Sequence, residues 1–226
     1  GQIGGRLSWT EKPGEPPVGQ WAPVQFEGNF VVERPVISAP GFHRWTEQKM
    51  QVELNGKIQP HSNGATTVDS GHLGLLVGGE VMSADLLQPL SLQGVNYIQS
   101  LDGLQATCTT TGSLDRWLDH LRNLFDLPQF ELAGGLNAKY DLNMADSVLR
   151  ISELTVTANQ FSFEGYGAKI QEPQVVGSGD VEIQLDTGDI LVHSASLSSS
   201  AVALTTNMLA IGLADGFQLT GPIAYQ

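Results

Sequence analysis

Phe130-Glu-Leu-Ala-Gly-Gly-Leu-Asn-Ala-Lys-Tyr-Asp-Leu142 sets Phe130, Leu132, Gly134, Leu136, Ala138, Tyr140 and Leu142 at every second position, with Glu131, Asn137, Lys139 and Asp141 between them. Successive strand side chains point to opposite sides, so strict alternation predicts a strand with one apolar and one wet face. The pattern continues toward the C-terminus. Asn143 to Asp146 reads as a turn. Val148 to Thr157 follows, with Leu149 and Ile151 in one phase and Leu154 and Val156 in another. Phe161 and Phe163 alternate with Gln160, Ser162 and Glu164, and Gly165 to Gly167 turns the chain. Gly177-Ser178-Gly179 reads as a further turn, and Val181, Ile183 and Leu185 alternate with Glu182, Gln184 and Asp186. Thr187-Gly188-Asp189 is a tight turn before Ile190–Ser199 and Ala201–Thr206. Short strands about ten residues apart predict an antiparallel meander with one apolar face.

Upstream, Leu104, Ala106 and Cys108 alternate with Gln105, Thr107 and Thr109. The clearest helix is Leu114 to Phe125. Leu114, Trp117, Leu118, Leu121, Leu124 and Phe125 form one apolar stripe, Ser113 is placed as N-cap, Asp115 lies in the first turn and Pro128 lies past the end. The first 65 residues differ, with six of the eleven prolines at or before Pro40 and with Trp9, Trp21 and Trp45. Strand-like runs cover Val24–Val32 and Lys49–Ile58, Asn55-Gly56 and His61–Gly64 have turn chemistry, and Pro89 interrupts Leu86–Leu92. The division is residues 1–100, a Trp- and Pro-rich β region, and residues 101–226, helix plus meander, or one continuous domain. Ser147–Thr157 and Asp189–Ser199 follow similar strand-and-turn units, an internal echo at an offset typical of repeat architectures, with Val36–Phe42 as a degenerate third copy.

Composition narrows the function classes. The 226 residues carry 11 Lys+Arg against 24 Asp+Glu, a net charge of −13. That balance argues against a phosphate-tracking nucleic-acid binder and against electrostatic docking on anionic lipid heads. Charged residues are 15% of the chain, against about 25% in ordinary domains, and glycine is abundant, which disfavours a coiled coil or helical bundle. After Lys169 there is no Lys or Arg. No apolar run approaches the ~20 residues of a membrane helix. The single cysteine, Cys108, excludes an intrachain disulfide. The start, Gly-Gln-Ile-Gly-Gly, suggests a segment of a longer protein with flanking domains.

Catalytic and metal signatures are lacking in the sequence. His43, His61, His72, His120 and His193 show no ligand spacing, and no nucleophile elbow or phosphate-cradling loop occurs. Asp141 and Asp146, or Asp180, Asp186 and Asp189, do not follow a calcium-loop spacing. Cys108 reads as a buried thiol on the apolar side of its strand. The chain is therefore read as non-enzymatic, with no cofactor and no metal.

Leu101-Asp-Gly-Leu-Gln-Ala-Thr-Cys-Thr-Thr-Thr-Gly-Ser-Leu-Asp-Arg-Trp-Leu118, Leu132-Ala-Gly-Gly-Leu-Asn-Ala-Lys-Tyr-Asp-Leu142 and Leu149-Arg-Ile-Ser-Glu-Leu-Thr-Val156 resemble the AsmA and TamB-like bacterial envelope proteins. The resemblance covers residues 101–213, and the Trp- and Pro-rich start departs from it. It implies an extended β-groove with an apolar inside, lipid transport or envelope biogenesis, and a periplasmic or cell-envelope location. It carries no functional residue over by position.

The expected fold is mainly β: a curved antiparallel meander forming a groove, or a sandwich, with one amphipathic helix near 114–125 at the end or mouth of the sheet. The expected function is non-catalytic, holding or shielding lipid acyl chains along a face built from Leu132, Leu136, Tyr140, Ile151, Val156, Phe161, Phe163, Ile183 and Leu185. The alternative is a β-sandwich that binds carbohydrate or a protein partner by stacking on Trp9, Trp21 or Trp45.

Overall fold

The computed structural model describes residues 2–11, 21–37, 45–62, 64–92, 101–124, 129–187, 189–212 and 218–225. In chain order the elements are β1 (Gln2–Glu11), β2 (Val24–Glu33), β3 (Val36–Ile37), β4 (Trp45–Thr46), β5 (Lys49–Pro60), β6 (Thr66–Val77), β7 (Glu80–Leu86), β8 (Leu90–Leu92) and β9 (Gln105–Ser113). Helix α1 (Leu114–Leu124) follows, and then β10 (Glu131–Ala145), β11 (Val148–Gly165), β12 (Ala168–Gln184), β13 (Ile190–Ser198), β14 (Ala203–Gly212), β15 (Gln218–Thr220) and β16 (Ile223–Tyr225).

Fourteen strands form one antiparallel sheet in the order β1-β2-β5-β6-β7-β9-β10-β11-β12-β13-β14-β15, with β8 on β6 and β16 on β14. The sheet is open, and only the short β3–β4 pair lies outside it among the described residues. Of the two architectures that alternation allows, the open sheet is therefore the one formed. Each strand pairs with the next available one, so the sheet grows by hairpins and needs no crossover. β7 pairs with β9 from Val81–Thr111 to Leu86–Ala106, which makes the sheet continuous across residue 100.

Register carries the sequence alternation from strand to strand, because residues directly opposite one another share a face. Val52 lies opposite Phe30 and Leu75, Leu75 opposite Met82, and Met82 opposite Thr110. Thr110 lies opposite Ala138, Ala138 opposite Val156, and Val156 opposite Gly177. The same face thus stays predominantly apolar from one edge of the sheet to the other. The opposite face carries the Thr107, Thr109 and Thr111 row and its Ser, Asn and Asp neighbours.

The change of phase between Ile151 and Leu154 is a β-bulge. The register slips there against both β10 and β12, and Glu153 takes φ 52°. The extra residue restores the apolar side chains to the same face, and the bulge amide donates to Asp180 Oδ1 at 3.3 Å. A second bulge at Gln160, φ 53°, returns Phe161 and Phe163 to the apolar face. Insertions of this kind bend and twist the strands that carry them.

Three turns predicted from the sequence prove to be strand. Asn55-Gly56 lies inside β5, where a Cβ on Gly56 would come 2.4 Å from the Ser70 carbonyl and 2.9 Å from the Phe26 ring. Gly56 is present for that close approach, with the ring laid over it. Gly177-Ser178-Gly179 lies inside β12, and a Cβ on Gly179 would meet the Ser194 carbonyl at 2.9 Å. At Asn143–Asp146 the strand runs on to Ala145, and the reversal is Asp146-Ser147, both with positive φ, as a two-residue hairpin requires. The run from Ala168 to Asp180 is also strand despite Pro173, which falls opposite the bulge residue Gln160, where a ladder can do without an N–H.

Helix α1 ends at Leu124, and Phe125 and Pro128 lie outside the described residues. Ser113 Oγ donates to the Asp115 carboxylate. The accessible surface of the chain is 14411 Å², whereas a compact protein of 24.2 kDa exposes about 10,000 Å². No large side chain is fully buried among the described residues. The most buried apolar positions on the sheet include small ones, such as Ala106, Cys108, Ala138 and Ala158, overshadowed by larger neighbours. Larger side chains divide: Leu90, Met144 and Leu209 are buried, while Ile3, Leu73 and Ile223 stand exposed.

Candidate functional site

The nine residues predicted to line an apolar channel come together on one face. Leu132 lies opposite Phe163, and Val156 lies opposite Ala138 on one side and Gly177 on the other. Leu136 faces Ala158, Ile151 faces Leu142, and Ile183 lies between Leu149 and Ile190. Leu185 is the exception: it lies in the turn just past β12 and is exposed. Phe161 lies opposite Glu172, a buried carboxylate that accepts hydrogen bonds from Ser200 Oγ at 2.5 Å and Ser200 N at 3.3 Å. Those bonds satisfy an acidic group that would otherwise interrupt the face, and they tie down the β13–β14 turn.

Tyr140 and Cys108 sit opposite each other at the centre of the face. The Tyr140 hydroxyl lies 3.1 Å from Thr110 Oγ1, and burial raises its pKa. Burial pushes the Cys108 thiol up to about 11, with the Asp141 and Asp85 carboxylates adding to the effect. The thiol is 3% exposed, as the alternation predicts.

The sequence missed how far the face extends. Residues 1–100 contribute Phe26, Phe30, Val52, Leu54 and Leu75 to it in continuous register. The alternation of Met50, Val52 and Leu54 is plain in the sequence; the pairing that carries it into the same face is not.

Helix α1 covers one end of the face. Leu118 is 4% exposed against the sheet, and Trp117 Nε1 stands 2.9 Å from where a Cβ on Gly112 would lie. Gly112 belongs to the apolar face opposite Leu136, so the indole lies directly on the sheet. A polar cluster pins the helix. The Arg116 guanidinium donates to the Gly78 carbonyl at 2.7 Å and stands 3.9 Å from Glu80. His120 lies between two carboxylates, 2.9 Å from Glu47 and 3.6 Å from Glu80, and Glu80 is 3% exposed. Trp117 meets His120 edge-on at 5.6 Å. No sequence spacing reveals this cluster, because its members come from the β4–β5 connection, β7 and α1. Between α1 and strands β10 to β12 lies a cleft of about 480 Å³, where Leu118, Leu132 and Phe163 stand among Arg122, Glu131 and Lys169.

Of the tryptophans, Trp9 is 67% and Trp21 65% exposed. Trp9 lies opposite Phe26 on the edge strand, and the Trp21 amide donates to the Pro60 carbonyl beside the β5–β6 turn. Trp45 belongs to β4, whose neighbour Glu47 reaches α1 at the other end of the strands. Among the described residues no group of three or more His, Cys, Asp or Glu side chains is placed to hold a metal ion. Asp141 instead accepts from Thr107 at 2.7 Å and Asp180 from Ser194 at 3.2 Å. No described helix is long and apolar enough to cross a membrane.

Comparison of the chain with models of known protein families, with curated proteins and with solved structures finds no match.

Proposed function

We propose that this protein holds lipid acyl chains along the apolar face of its open sheet and is not an enzyme. One observation carries the proposal: the face stays apolar across twelve strands bonded in series, while the described second layer is essentially α1 at one end. Twelve strands span roughly 50 Å, several times the ~15 Å depth of one leaflet of hydrocarbon. Such a surface in water is costly and calls for a covering. Flexible acyl chains suit it because the face is long and its polar groups Thr110 and Glu172 are buried and already hydrogen-bonded within the chain. The resemblance of residues 101–213 to AsmA and TamB-like proteins supports the same reading. With it come a place in the bacterial periplasm or envelope and a role in lipid transport or envelope biogenesis.

The test is lipid extraction and native mass spectrometry of the purified chain, followed by titration with a fluorescent fatty acid. Co-purifying lipid is expected, as is saturable binding that Val156→Asp on the apolar face weakens about tenfold or more. Thr155→Asp on the polar face of the same strand leaves binding unchanged. A chain that carries no lipid and binds none of the probe overturns the proposal.

A further inference from the structure

We draw no further inference here: the strongest candidate, the cluster of Glu47, Glu80, Arg116 and His120 beneath α1 at one end of the apolar face, belongs to the contacts already described as seating that helix, and nothing in the structure shows a ligand for it or a second position of α1.

Discussion

Val77 and Ile3 occupy comparable positions in alternating strands of one sheet, yet Val77 is 4% exposed and Ile3 75%. Both side chains belong to the apolar face. Val77 precedes the Gly78 carbonyl that Arg116 of α1 grips, beside the buried Glu80. Ile3 lies on the edge strand, with β2 on one side only. The difference teaches that alternation assigns a residue to a face, while burial depends on what lies above and beside it. On this open sheet the two come apart: Val77, Met144 and Val192 are buried, while large side chains of the edge strand stand exposed.

The widest separation should appear in stability. Leu118→Ala removes the side chain that seats α1 and should cost about 2–4 kcal/mol in urea unfolding, whereas Ile3→Ala should cost less than about 1 kcal/mol. Equal costs at the two sites would break the comparison. A smaller separation is expected in thiol chemistry. Cys108 should resist alkylation at pH 8 under native conditions, at least about a hundredfold more than Thr109→Cys on the polar face of the same strand. The thiol's ordinary value of 9.0 is raised to about 11 in the folded chain. The unfolded state therefore loses this proton first, and stability should fall as pH rises from about 9 to about 11. Reaction of both thiols at similar rates would show that the centre of the face is open to water.

The smallest effect lies on the polar face. Glu182 accepts from His193 Nε2 at 2.5 Å and from Arg150 at 2.9 Å, and these two partners lower its pKa. Its stabilising contribution is present above the ordinary carboxylate range and is lost as pH falls through the lowered value. His193→Ala should raise that value in an NMR titration and cost no more than about 1 kcal/mol of stability, because the pair is only part-buried, with the His193 side chain 38% and the Glu182 side chain 16% exposed. A large loss of stability in that variant would mean that the polar face is structural in a way its exposure does not suggest.

Much of the fold was legible in residues 104–206. Alternation there is unbroken enough to give the strands, and the shift from Ile151 to Leu154 was visible as a change of phase before Glu153 explained it as a bulge. The stripe from Leu114 onward gave the helix. Glycine was misread at Gly56 and at Gly177–Gly179, because a glycine that makes room for a ring or a neighbouring carbonyl looks the same in sequence as one that turns the chain. The nine candidate apolar residues were legible because each obeys period two. The Glu47–His120–Glu80 cluster was not, since pairwise spacing in the chain says nothing about side chains brought together by a helix folding back over a sheet.

By itself the sequence determined the secondary structure class, the apolar and polar sides of most strands, and the acidic character that disfavours nucleic acid. Those properties follow from local periodicity and composition, which a short window contains. Only the tertiary structure decided that the strands form a single open sheet and that residues 1–100 extend the same face. Only there is it apparent that α1 covers one end of that face. Closure and coverage depend on register, bulges and twist summed over fourteen strands, and alternation is the same whether the apolar face meets a second sheet, a helix or nothing.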